Sequence, residues 1–153
     1  MMGRWSLGFM ALSLVLLDQV TKWWAVKNLS LYSGIVVMPH VLDLQRVHNF
    51  GAAYGIFEDQ RIPLIAVSIG VLIGCWLLRR TLVTSAWSRV GVVILASGAV
   101  GNLIDRLWHG FVIDFLNIHI IPVFNVADVC INIGIGCFIV EYFIFRRAST
   151  DTV

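Results

Sequence analysis

The sequence predicts an all-α membrane protein, a four-transmembrane-helix bundle with its two ends on the same side of the bilayer. Three observations carry this. Of the 153 residues, 59% are hydrophobic and 13% charged, about half the charge of an ordinary soluble domain. The charges are clumped, so that long uncharged runs alternate with short charged ones, the pattern of successive membrane spans. Lysine and arginine are concentrated in alternate short loops. The mean hydropathy of +0.87 agrees.

The first apolar run extends from about Trp5 to Trp24, about 30 Å of helix and long enough to cross a hydrocarbon core. Arg4 before it imitates a signal peptide, but no small-residue cleavage site follows Leu17. Asp18, Gln19, Thr21 and Lys22 follow instead, which reads as a retained span with a polar exit. A wetter stretch, about 28–61, holds Pro39, Asp43, Gln45, Arg46, His48, Glu58 and Asp59, with Val-rich segments at Ile35–Met38 and Val41–Val47. It predicts short strands and turns at the membrane surface. Ile62–Leu78 is a second, uncharged span. Arg79, Arg80 and Arg89 bracket a short loop before the third, about Val90–Trp108. A polar loop from His109 to about Val123 contains Asp114 and Pro122. The fourth span runs from about Phe124 to Phe145 and meets Arg146–Arg147.

With four spans, Arg4, the Arg79–Arg89 loop and Arg146–Arg147 share one side, which the excess of positive charge marks as cytoplasmic. Lys27, Arg46 and Arg61 lie opposite, diluted among acids. Trp5, Trp23, Trp24, Trp76, Trp87 and Trp108 stand near span ends, as interfacial aromatics do. The glycines of spans two to four (Gly70, Gly74, Gly91, Gly98, Gly101, Gly134, Gly136) are expected to pack helices together. A net charge of +2, without basic residues interleaved with aromatics, excludes a nucleic-acid surface. Cys75, Cys130 and Cys137 lie in apolar runs and read as small buried residues; no histidine neighbours Cys130 to activate it.

Ionisable groups in membrane spans are costly and therefore informative. Here they gather at the non-cytoplasmic ends: Asp18 with Lys22, Asn102 with Asp105 and Arg106, Asp114 in the following loop, and Asn125 with Asp128 at the entrance to span four. Spacings of three and four put each pair on one helix face. Glu141 is the exception and reads as a cytoplasmic-interface charge. Asp18 and Lys22 are most simply an intrahelical ion pair. Asp105 and Arg106 read as a scaffold pair in which the guanidinium holds the carboxylate ionised. Asp114 and Asp128 have no basic residue within four positions. Two facing carboxylates without a counter-charge share one proton, the arrangement aspartyl proteolysis needs. His40, His48, His109 and His119 lack ligand-like spacing, so no metal site is expected, and neither H-E-x-x-H nor G-x-S-x-G occurs. A different reading is a small four-helix proton-coupled exporter, which would want one essential acid deep in a span. A non-catalytic assembly factor would be indifferent to conservative changes at Asp114 and Asp128.

Five segments resemble lipoprotein signal peptidase, the bacterial type II signal peptidase. They are Asp18-Gln19-Val20-Thr21-Lys22, Asn49-Phe50-Gly51-Ala52-Ala53-Tyr54-Gly55, Gly101-Asn102-Leu103-Ile104-Asp105-Arg106, Val112-Ile113-Asp114-Phe115 and Phe124-Asn125-Val126-Ala127-Asp128. Their order and spacing match the family; Tyr54, where phenylalanine is commoner, is a mild departure. The resemblance implies an aspartyl peptidase of the bacterial cytoplasmic (inner) membrane, with the whole chain a single domain. Its substrate would be a diacylated prolipoprotein, cut just before the lipidated cysteine. The implied catalytic residues are Asp114 and Asp128. The implied supporting residues are Asn49, Gly51, Asn102, Asp105, Arg106 and Asn125, with Asp18 and Lys22 structural or substrate-supporting. It further implies a small extra-membrane β cradle on the non-cytoplasmic face, contact with membrane lipids, inhibition by globomycin-type cyclic peptides, and no metal or organic cofactor.

Overall fold

The computed structural model describes residues 4–51, 59–77, 79–83 and 85–145. Helix α1 (Arg4–Asn28) leads into a hairpin of β1 (Gly34–Met38) and β2 (Leu42–Asn49). Helix α2 (Arg61–Leu77), the single turn α3 (Arg79–Leu82), α4 (Ala86–Trp108), β3 (Val112–Asn117) and α5 (Val126–Phe145) follow. The fold is mostly helical with one small antiparallel sheet. Trp5–Asn28, Ala86–Trp108 and Val126–Phe143 are long and apolar enough to cross a membrane; α2, at 17 residues, is a shorter apolar helix. Residues Ala52–Glu58, with Tyr54 and the end of its motif, and Arg146–Arg147 lie outside the described residues.

Local chemistry explains where the helices depart from their expected bounds. Helix α4 begins four residues before Val90 because Ser85 and Ser88 form a capping box: the Ser85 hydroxyl accepts from the Ser88 N–H at 3.1 Å, and the Ser85 N–H donates to the Ser88 hydroxyl at 3.0 Å. Its far end is closed by Arg61, whose guanidinium donates to the Arg106 and Leu107 carbonyls at 2.8 Å each. Helix α1 continues one turn beyond Trp24, and there Ala25 and Leu29 meet Phe115 of β3 in a small apolar core with Leu44, Leu116 and Val126 around it. Burying these side chains fastens the sheet to the helix ends.

The sheet has the order β1-β2-β3. The third strand corrects the expectation that Asp114 lies in a loop: Asp114 stands opposite Val47, and Val112 opposite Asn49. Partners share a sheet face, so Asn49 and Asp114 point the same way. Between Leu44 and Val47 the register shifts by one residue, a bulge in β2. After β3 the chain turns back through Pro122 and is pinned by reciprocal backbone bonds between Leu116 and Phe124 at 2.8 and 3.0 Å. Phe124 is thus a bridge residue, and α5 starts at Val126, two positions later than expected.

Helix α4 is central, packing on α1, α2 and α5. At Gly98 a Cβ would collide with the Ala127 carbonyl and the Ile131 side chain, so α5 approaches α4 over bare backbone. Gly91, Gly101 and Gly134 also face close neighbours. Gly70, Gly74 and Gly136 do not: among the described residues nothing lies within 4 Å of a Cβ built there, and the expectation that they pack helices is corrected.

Candidate active site

Every polar residue singled out from the sequence at the non-cytoplasmic ends arrives in one cluster, where α1, β2, β3, α4 and α5 meet. Asp114 is 1% exposed. One carboxylate oxygen accepts from the Asn125 side-chain amide at 2.6 Å and the other from the Asn49 amide at 2.9 Å. Asp128 is the third residue of α5. Its Oδ2 accepts from the Asn125 backbone N–H at 3.1 Å, while its own N–H donates to Asn125 Oδ1 at 2.9 Å. That is a capping box with asparagine at the cap and aspartate at the third position. Its other oxygen accepts from the Asn102 amide at 2.8 Å. Asn125, fully buried, therefore touches both carboxylates.

Three amides are held in one orientation, each by a donor behind it. The Asn49 oxygen accepts from the Gly51 N–H at 2.9 Å, the Asn125 oxygen from the Asp128 N–H, and the Asn102 oxygen from Lys22 Nζ at 3.0 Å and the Asn125 amide at 3.2 Å. An amide whose oxygen is engaged can only donate with its nitrogen, so all three present N–H groups to the aspartates. Burial, and then the negative charge of Asp128, push the Asp114 carboxyl up to about 7; the Asn49 and Asn125 amides and Lys22 pull against that rise without cancelling it.

Around the two acids lies an ionic network. Lys22, 1% exposed, contacts Asp18 at 2.9 Å and Asp105 at 3.0 Å. The intrahelical pair expected from the sequence exists, and it is half of a larger arrangement. The expected pairing of Asp105 with Arg106 holds only as an attraction without contact: Lys22 is the cation in contact with Asp105, while Arg106 donates to the Gly51 carbonyl at 3.2 Å and its charge acts on Asp128, Asp114 and Asp105. Neighbours on a helix point in different directions, so sequence adjacency did not give the contact. Gln19 was not singled out as a site residue, yet its amide reaches Asp18 at 3.1 Å and both the Gly101 carbonyl and Asp105 at 3.2 Å. Its place beside Asp18 in the first motif was the available signal.

On the other face of β2, His48 stacks on Phe111 with ring centroids 3.9 Å apart, and Phe50 tilts against the same ring at 5.2 Å. Burial, helped by Arg46 and His109, lowers the His48 imidazole, so it is neutral near pH 7. At the sheet tip, Asp43 meets His119 at 3.1 Å. Among the described residues no three histidine, cysteine or acidic side chains gather as a metal-binding set.

A family model described as signal peptidase (SPase) II matches residues 10–144. The lipoprotein signal peptidase of Pasteurella multocida is 39% identical over 149 residues, covering 90% of each chain. That of Symbiobacterium thermophilum is 36% identical over 146 residues, covering 92% of this chain and 96% of the relative. A solved bacterial membrane enzyme superposes with a TM-score of 0.84 at 26% identity, covering 98% of this chain and 93% of its own. A second gives 0.81 at 28% identity, over 92% and 94%. With the family model spanning nearly the whole chain and curated relatives matching it almost end to end, this chain belongs to the signal peptidase II family, and is a peptidase of the membrane.

Proposed function

We propose that the chain is an aspartyl endopeptidase that removes signal peptides from diacylated prolipoproteins, cutting before the cysteine that carries the diacylglyceryl thioether. Family membership supports lipoprotein processing. The observation that carries the mechanism is the sharing of Asn125 between two carboxylates, one of them raised to about 7. Asp114, protonated near neutrality, is the acid. Asp128 is the base, since the capping bond and the positive end of α5 favour negative charge at the third helix position.

In this reading a water lies between the two. Asp128 takes its proton as the water oxygen attacks the scissile carbonyl carbon, and Asp114 gives its proton to the carbonyl oxygen. The tetrahedral diol then collapses: Asp128 delivers its proton to the departing cysteine nitrogen, Asp114 recovers one from the diol, and the C–N bond breaks. Asn49, Asn102 and Asn125 keep both carboxyls in place, and Arg106 holds the chain at Gly51 beside Asn49. The exporter reading lacks its lone deep acid and gives way to this one.

The setting follows from the substrate. A lipidated, membrane-embedded peptide meets the dyad at the bilayer surface. We therefore read α1, α2, α4 and α5 as four spans of a single peptidase domain in the inner membrane, termini cytoplasmic, with the sheet as an outer cradle. Globomycin-type peptides would compete for the same site. Incubating the purified protein with diacylated prolipoprotein should give a globomycin-sensitive shift in size; cleavage of the unlipidated precursor at an equal rate would sink the proposed specificity. Labelling of a cysteine at position 43 from the outside checks the topology, and labelling only from the cytoplasm would overturn it.

A further inference from the structure

The ionic network lies behind the dyad rather than in it, and its bonds end at informative places. Lys22 Nζ has three protons and three partners: Asp18, Asp105 and the Asn102 oxygen. It is saturated and buried, so it has no proton left for a substrate. Asp18 Oδ1 accepts from the Ala127 N–H at 2.8 Å, and Ala127 immediately precedes Asp128. Asp105 Oδ2 accepts from the Ile113 N–H at 3.0 Å, and Ile113 immediately precedes Asp114. Each buried carboxylate thus holds the backbone just before one of the two acids, and a single ammonium joins both.

We infer that Asp18, Lys22 and Asp105 form a positioning unit that fixes the separation of Asp114 and Asp128 and, through Lys22, turns the Asn102 amide so that its N–H faces Asp128. This rests on the proposed aspartyl reading for what is positioned, while the placement itself is geometric. The direction of the Asn102 amide is the telling part. Two donors meet the Asn102 oxygen, Lys22 Nζ at 3.0 Å and the Asn125 amide at 3.2 Å. The nearer one is an ammonium, which can only donate, so it compels Asn102 to meet it with oxygen, and the N–H group is left for Asp128. A group of similar size that could either donate or accept would not compel it. Lys22 is therefore a positioning residue acting through Asn102, beyond its contribution as an ion-pair partner.

The test is a double-mutant cycle in full-length protein reconstituted in lipid, with diacylated prolipoprotein as substrate. Lys22→Gln removes the donor-only group and should lower kcat about 10- to 100-fold, with KM held within about twofold. In an Asn102→Ala background the same change should cost at least about threefold less than in the wild type, because the path through Asn102 is gone and only the joining of Asp18 to Asp105 is left to lose. Lys22→Arg, again donor-only, should recover part of the lost rate. Asn102→Asp keeps an oxygen for Lys22 but has no N–H for Asp128. It should lose at least as much rate as Lys22→Gln while its thermal midpoint stays near that of the wild type. Should Lys22→Gln fail to fold with two unpaired acids, Asp18→Asn/Lys22→Gln removes the surplus charge and takes its place. An equal loss with and without the Asn102 side chain, or a fully active Asn102→Asp, overturns the inference. A second readout is independent of cleavage: the Asn102 side-chain amide NMR signal, identified by its loss in Asn102→Ala. It should exchange slowly with solvent in the wild type and quickly in Lys22→Gln; no change refutes the positioning whatever the substrate proves to be. Failure of the wild type to cut diacylated prolipoprotein would refute the proposed function and leave this second readout to decide the placement.

Discussion

Asp114 and Asp128 meet at one asparagine but come to it from different kinds of structure. Asp114 stands on β3, with a neighbouring strand beside it and two side-chain amides as its donors. Asp128 stands in the first turn of α5, with a backbone N–H and a third amide. A strand offers a side chain no net dipole, whereas a helix start offers partial positive charge. Two identical residues can therefore take opposite parts in acid–base chemistry because of where the fold places them. Abolishing the difference should abolish the reaction. Asp114→Asn and Asp128→Asn should each lower kcat by about 10²–10⁴-fold, and the double mutant should be little worse, since the acids act as a unit. Uncut diacylated prolipoprotein should accumulate in cells carrying either. Removing one of two mutually repelling acids should leave the fold intact. Full cleavage by either variant, with contaminating peptidase excluded, would end the aspartyl reading.

The next largest effect separates the seats from the acids. Asp105 holds β3 through the Ile113 N–H, and in the proposed mechanism it is given no proton to transfer. Asp105→Asn should weaken turnover about 10- to 100-fold, the value of a charge-assisted bond, and leave measurable cleavage at high enzyme concentration. If it abolished cleavage in folded protein while Asp114→Asn did not, the dyad would be misassigned.

These contacts differ in how far they could be read from the chain. The residues of the dyad and its amides were legible because each lies in one of the short motifs that resemble the family. Asn102 with Asp105 and Asn125 with Asp128 also stand at helical spacing, and the Val-rich segments around Ile35 and Val41 announced β1 and β2. The third strand was not. In Val112–Asn117 an acid sits among apolar residues buried on both faces, so the run lacks the alternation that marks a half-exposed strand. The Lys22–Asp105 bond joins residues far apart in sequence, and no local pattern reports it; the adjacent Arg106 suggested a nearer partner, which acts on Asp105 only through its charge. Glycine spacing told which positions share a helix face but not which face another helix covers, hence the error at Gly70, Gly74 and Gly136.

The asymmetry between the acids also has a pH signature. The Asp114 carboxyl rises from 3.8 to about 7 on folding, so the folded chain holds this proton more tightly than the unfolded one. The associated stability is fully present below about 3.8 and is lost as pH rises through about 7. If Asp114 must be neutral to act, kcat should fall on the alkaline side through the same range, tenfold per pH unit once well above it. Asp114→Asn should remove the corresponding slope from the thermal midpoint and stand above the wild type at pH 8. A rate that climbed through pH 7 to 9 would exchange the roles of the two acids.

The smallest effect probes the seat of Asp128 alone. The first turn of α5 lies against Gly98, where a Cβ would meet the Ala127 carbonyl and Ile131. Ala127 is held at both backbone groups, its carbonyl within the helix and its N–H by Asp18. Relief must come from moving α5 outward, which carries Asp128 away from Asn102, while β3, tied by Asp105, stays in place. Gly98→Ala should then cost about 1–3 kcal/mol in stability, as overpacking does, and severalfold in kcat with Asp114 undisturbed, so the alkaline limb of the pH–rate profile should not move. Gly70→Ala supplies the contrast. It adds the same methyl group to a helix of similar character where nothing lies within 4 Å, so overpacking has no counterpart there. Alanine is also the better helix former, by about 1 kcal/mol, and Gly70→Ala should be neutral or slightly stabilising with unchanged kcat. Equal losses from the two substitutions would mean that the damage comes from changing a glycine in a span. A loss at Gly98 alone would locate the cause in the contact that holds Asp128.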